Sequence, residues 1–260
     1  MKLHCHTTGS GPDLVLLHGW GMNAAVWSPW LPRLARHHRV TAIDLPGHGA
    51  SDYDSTQDSL DDWVAACLEA APRQADWVGW SLGGQLALGA GLAAPERIRR
   101  LVLVASSPRF VKTEDWPHAM EEGVLRQFAE TLARNHQQTL ERFLSLQVRG
   151  DEEARLTLRL LRQEIVQRPQ PHPSALQQGL ELLRTVDLRA RIPGLQVPSL
   201  WLLGERDTLT PAAVGQELVA LGIPQSEIKV LKGCAHVPFL SHPGTSLELV
   251  KAFLGAGDSG

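Results

Sequence analysis

Apolar residues fall into two kinds of run along this chain. Asp13–Leu17, Arg39–Ile43 and residues 74–80, 100–105, 198–203 and 228–231 are short, nearly continuous apolar stretches. Such stretches are the mark of strands buried on both faces of a parallel sheet. Between and after them, residues 26–35, 60–71, 84–94 and 245–254 repeat their apolar positions at helical spacing, and Pro95 stops the third of these. Strands alternating with helices predict an α/β fold with a mostly parallel, doubly wound sheet. From about residue 109 to 188 the strand signal disappears. Residues 117–134, 139–148, 151–167 and 174–186 read as helices separated by Pro and Gly. The expected division is therefore a core of 1–108 and 189–260, interrupted by a helical cap over 109–188.

At 260 residues the chain has room for one large α/β domain with such an insertion. Its net charge of -3 offers no basic excess, which argues against nucleic acid or a membrane surface as partner. The N-terminus runs into Gly9-Ser10-Gly11-Pro12 before a signal-peptide core could form, and no apolar run of about 18 residues follows. A cytoplasmic monomer is expected. Cys5, Cys67 and Cys234 stand at unrelated spacings, and His4-Cys5-His6 has no second ligand cluster, so neither disulfides nor a metal are expected. No nucleotide fingerprint or cofactor-lysine motif occurs, and no cofactor is expected.

The candidate chemistry starts at Gly79-Trp80-Ser81-Leu82-Gly83, a G-x-S-x-G pattern set between a strand and a helix. A serine at that turn is held in a strained conformation with its hydroxyl thrust outward, and the helix start places backbone N–H groups beside it. His18-Gly19-Trp20-Gly21 follows the first core strand, so the Trp20 and Leu82 amides are the candidate oxyanion donors. Asp207 follows one of the returning strands and His236 the next, giving the order Ser, Asp, His. In these roles His236 relays the serine proton and Asp207 fixes the imidazole. Glu205 is an alternative acid. His18, His48 and His242 are rivals to His236, but only His236 follows the last strand at short range between small residues. His18 reads as a loop-holding residue, and Asp44 as a cap on the amides of its own turn.

Taken together, His18 to Gly21, Asp44-Leu45-Pro46-Gly47-His48-Gly49, Gly79 to Gly83, Gly204 to Asp207 and Ala235-His236 resemble the motifs of the α/β-hydrolase family, in order, over nearly the whole chain. Within it the chain looks most like the carrier-protein methyl ester esterases of biotin synthesis. The features carrying that likeness are His18 to Asn23, Gly79 to Gly84, Ala105-Ser106-Ser107-Pro108, Glu141-Arg142-Phe143-Leu144 and Thr185 to Arg189. The resemblance implies a serine esterase that cleaves the methyl ester of a pimeloyl chain on acyl-carrier protein and releases methanol. It implies substrate contacts at Trp20, Ser81, Leu82, Phe143 and His236, with Trp80 beside the acyl channel. It also implies docking of the acidic carrier protein at Arg142, Arg155 and Arg159, while Gln138 departs from the basic residue expected there. Arg155, Arg159 and Arg162 share one helical face, and the alternative to docking is a solvated face paired to Glu152, Glu153 and Glu164. A broad short-chain carboxylesterase acting on small acyl esters, a thioesterase, a carbon–carbon bond hydrolase or a perhydrolase would use the same triad. A non-catalytic binder could keep the same fold. Dehalogenases and epoxide hydrolases need a carboxylate where this chain has Ser81.

Overall fold

A computed structural model describes residues 1–255. Among them, seven strands form one sheet: β1 (Cys5–Thr8), β2 (Asp13–Leu17), β3 (Arg39–Ile43), β4 (Ala75–Trp80), β5 (Ile98–Val104), β6 (Ser199–Gly204) and β7 (Ser226–Leu231). Their order is β1-β3-β2-β4-β5-β6-β7, and every pairing is parallel except β1 with β3. The apolar runs explain the centre, because β4 and β6 are buried along their whole lengths and β2 from its second residue.

Among the described residues ten helices accompany the sheet: α1 (Leu31–Leu34), α2 (Leu60–Ala70), α3 (Leu82–Ala93), α4 (Glu122–Leu132), α5 (His136–Gln147), α6 (Ala154–Ile165), α7 (Pro173–Thr185), α8 (Val214–Ala220), α9 (Pro238–Ser241) and α10 (Pro243–Gly255). The chain leaves β2 for β3 on one side and then crosses to β4 on the other. Right-handed crossovers therefore place helices on opposite faces of the sheet. That reversal is the topological switch point, and the loops after β2 and β4 open at its crevice.

Helices α4 to α7 all lie between β5 and β6, which are neighbours in the sheet. They pack on one another, α4 against α5 and α7 and α6 against α5, while α6 also rests on α9 and on the turn Ala24–Trp27.

One strand was not foreseen and two expected elements differ. The polar segment before Gly9 forms β1, an antiparallel edge strand. The expected helix over 26–35 is a short turn followed by α1, with Pro32 at its start. The expected helix over 117–134 starts only at Glu122, because residues 111–120 fold back through paired bridges, Val111 with Met120 and Thr113 with Trp116.

Candidate active site

At the end of β4 the chain turns sharply into α3, and Ser81 occupies the turn at φ 56 and ψ -119. A non-glycine residue in that region stores strain and persists only where its surroundings over-determine it. Here the Ser81 N–H donates to Val104 O at 2.9 Å, and its carbonyl accepts from the amides of Gly84 and Gln85 and from Ser106 Oγ. Gly79 makes the bend possible: a Cβ there would lie 2.6 Å from the Gly84 Cα.

The strands after the helical insertion bring up two partners. His236 Nδ1 and Asp207 Oδ2 stand 2.7 Å apart, both side chains buried. The second Asp207 oxygen accepts the Leu209 and Thr210 amides at 2.8 and 3.0 Å, so the carboxylate has one orientation. His236 Nε2 is buried with no hydrogen-bond partner among the described residues. Glu205 takes no part in this pairing; it accepts the Gly233 N–H at 2.9 Å and holds the loop instead.

Beside Ser81, the Leu82 N–H opens α3 and carries the positive end of its dipole. Trp20 lies in the loop after β2. Neither amide donates to another backbone group among the described residues. The Trp20 indole is tied to the helices above, donating to Leu176 O at 2.8 Å and meeting the Phe143 ring edge-on with centroids 4.7 Å apart. Gly179 leaves it room, since a Cβ there would come within 2.7 Å of the indole. Trp80 packs against Gly19 and Phe239 and donates to His236 O at 2.8 Å, supporting the histidine loop.

Two buried histidines hold the Trp20 loop. His18 Nε2 accepts the Leu45 N–H while its Nδ1 donates to Gly19 O, and His48 Nε2 accepts the Gly21 N–H while its Nδ1 donates to Pro46 O. Burial lowers the pKa of both, that of His48 to about 3, so each stays neutral and keeps an acceptor nitrogen. Asp44 is fully buried; its oxygens accept the Ala24 and Ala50 amides at 2.7 and 3.1 Å. It therefore caps its own turn and also anchors the segment after Trp20.

Gln147 went unnoticed in the sequence. It stands one turn after Phe143 on α5, its amide oxygen and nitrogen are buried without partners among the described residues, and its carbonyl accepts the His236 N–H at 3.1 Å. The i, i+4 spacing from Phe143 was the signal that placed both on one face. The histidine loop is tied to the same stretch twice more, through Asp151 Oδ2 to the Ala235 N–H and through the Glu152 N–H to Gly233 O.

A cleft of about 770 Å³ opens between α5, α7 and the loop after β3, and Leu140 and Leu176 line it next to Trp20. Arg142, Arg155 and Arg159 are exposed, and none forms an ion pair among the described residues. The alternative, a face paired to Glu152, Glu153 and Glu164, does not form among the described residues. Glu152 meets Arg206, Glu164 accepts from Ser28, and Arg162 reaches back to Glu141 on α5.

The model of the alpha/beta hydrolase fold matches residues 12–243. The chain belongs to the alpha/beta hydrolase family. Among curated relatives of this hydrolase, pimeloyl-[acyl-carrier protein] methyl ester esterase of Nitrosomonas europaea is 44% identical over 93% of the chain and 95% of its own length. The protein of the same name from Photobacterium profundum is 45% identical over 95% of the chain and 96% of its own. Solved structures share the fold. An esterase from Exiguobacterium antarcticum superposes with a TM-score of 0.86 at 21% identity, covering 97% of this chain and 95% of that one. An enol-lactonase from Burkholderia xenovorans gives 0.83 at 22%, covering 97% and 96%.

Proposed function

We propose that this hydrolase cleaves the methyl ester of pimeloyl-[acyl-carrier protein], the substrate named for its relatives, through a serine acyl-enzyme. One observation carries the chemistry: an oriented His236–Asp207 pair whose Nε2 has no partner among the described residues, on a loop held by the Trp80 indole next in sequence to a strained Ser81. The near full-length identity to the named esterases supports the substrate.

In this mechanism Ser81 Oγ attacks the ester carbonyl as His236 Nε2 takes its proton, and the C–O double bond opens to an oxyanion facing the Trp20 and Leu82 N–H groups. His236 returns the proton to the methoxy oxygen as the C–O bond breaks, and methanol leaves. Water then attacks the acyl-serine with His236 again as base, freeing the pimeloyl carboxylate and restoring Ser81. Asp207 stabilises the imidazolium in both halves.

The segment 109–188 serves as a lid over the core of 1–108 and 189–260. Phe143 and Trp20 line the acyl chain's path, and Arg142, Arg155 and Arg159 meet the acidic carrier. Their lack of acidic partners supports that use, since charge already paired would attract a partner less.

The test compares hydrolysis of the carrier-bound methyl ester by wild type, Ser81→Ala and an Arg155→Ala/Arg159→Ala double variant. Ser81→Ala is expected to lose at least about 10⁴-fold in kcat. The arginine variant should lose activity on the carrier substrate, salt-dependently, while sparing p-nitrophenyl butyrate. Fast cleavage of the small ester with none of the carrier ester would leave the triad standing and sink the substrate.

A further inference from the structure

Behind the His236 loop lies a second cluster of donors. One ligand atom each from Asp151, Cys234 and His242 lie within 4.8 Å of one another. The three arrive from different places: Asp151 from the turn between α5 and α6, Cys234 from the loop after β7, and His242 from the C-terminal end of α9. Cys234 and Asp151 are buried, and His242 is half-buried. Ser241 Oγ sits between the other two side chains, 3.4 Å from Cys234 Sγ and 2.9 Å from His242 Nδ1. Each Asp151 oxygen accepts one backbone amide, from Glu153 and Ala235, and so keeps a free lone pair.

The donor set decides what could bind. A thiolate, an imidazole and a carboxylate suit a borderline-soft divalent ion, and three protein ligands with water in the fourth position make a common zinc arrangement. Calcium and magnesium, which want oxygens, are poorly matched. Zinc bonds of about 2.3 Å to sulfur and about 2.0 Å to nitrogen place donors of a tetrahedral site about 3.5 Å apart. Rotamer shifts closing the widest pair by about 1 Å would therefore form it.

We propose that Asp151, Cys234 and His242 form an inhibitory zinc site, in which the metal binds Cys234 Sγ, a His242 ring nitrogen and an Asp151 oxygen and slows hydrolysis. Binding breaks the Cys234 S–H bond, forms a Zn–S bond and releases one proton to solvent, with no electron transferred. The slowing follows from position: Cys234 lies two residues before His236, and drawing its sulfur toward Asp151 shifts a loop whose imidazole must meet Ser81 accurately. The binding itself does not depend on the esterase reading; only the slowing does.

The test titrates zinc into wild type, Cys234→Ala and His242→Asn by calorimetry, repeats the titration with cobalt under absorption, and measures p-nitrophenyl butyrate hydrolysis with and without zinc. Wild type should bind one zinc, with affinity falling about a hundredfold in either variant. Cobalt should give a thiolate charge-transfer band that Cys234→Ala lacks. Zinc should slow wild type reversibly, with EDTA restoring the rate, and leave Cys234→Ala untouched. Should Cys234→Ala misfold, Cys234→Ser keeps the side-chain size and the contact with Ser241. Absence of saturable zinc binding, or equal affinity in all variants, overturns the site. Zinc binding lost in Cys234→Ala without slowing of wild type overturns the inhibitory role. Equal inhibition of wild type and Cys234→Ala places the metal on His236 itself and also overturns it.

Discussion

Asp207 is gripped from both sides, by two amides on one oxygen and by His236 on the other. That grip sharpens the outcome of Asp207→Asn. The two amides require the carbonyl oxygen of the new side chain, so its NH₂ faces His236 Nδ1 and forces the proton onto Nε2. The base is then blocked while the fold is kept, and kcat should fall by about 10⁴ with an unchanged melting temperature. Gln147→Leu separates two effects differently. It replaces a buried amide without partners by an apolar group of similar size, which should hold or raise stability by about 1 kcal/mol. If the amide faces substrate, kcat/KM should fall by about tenfold or more. Unchanged kinetics together with a raised melting temperature would show that Gln147 does not touch the substrate.

Among the elements, the turn from β4 to α3 depends on close backbone approach. Gly79→Val would drive its side chain into Gly83 and Gly84 and should destabilise the fold by several kcal/mol, seen as a lower denaturation midpoint. The loops after β2 and β3 depend instead on neutral histidines. His48 ordinarily titrates at 6.5 but at about 3 when folded, so the unfolded chain takes up a proton that the native protein refuses. Stability is then complete above about pH 6.5 and falls by about 1.4 kcal/mol per pH unit between there and pH 3. His18 adds to the slope in the same sense. Urea unfolding of His48→Asn across that window should show a shallower pH dependence; an unaltered slope would falsify the assignment.

The central strands were legible because burial on both faces leaves no room for polar residues. β1 was not, since its exposed centre and single partner strand tolerate Cys5-His6-Thr7-Thr8. The segment 117–121 kept helical spacing but went to bridge pairing, a tertiary contact that periodicity does not encode. Ser81, Asp207 and His236 could be read because parallel topology delivers successive loops to one sheet edge in chain order. The spacing from Phe143 puts Gln147 on the same helix face, but its contact with the histidine loop, like that of Asp151, arises only through folding.

For the whole molecule, the balance of charge is nearly even, so recognition of an acidic partner has to come from local features. Arg142, Arg155 and Arg159 are exposed without acidic partners among the described residues, and Arg142 borders a groove of about 760 Å³ between α4, α5 and α6. Replacing all three with Ala should lower kcat/KM on the carrier substrate by about tenfold or more at low salt and flatten its dependence on ionic strength. Activity on a small ester should stay the same; parallel losses on both substrates would point to damage within the helical insertion.

The helical insertion and the catalytic loop share three hydrogen bonds, from the Ala235 and His236 amides to Asp151 and Gln147 and from the Glu152 amide to Gly233. The segment that would choose the substrate is thus also part of the frame that holds His236. It cannot be traded between relatives as an independent module: a graft that lacks these three partners would bring a new specificity to a histidine left without its mooring.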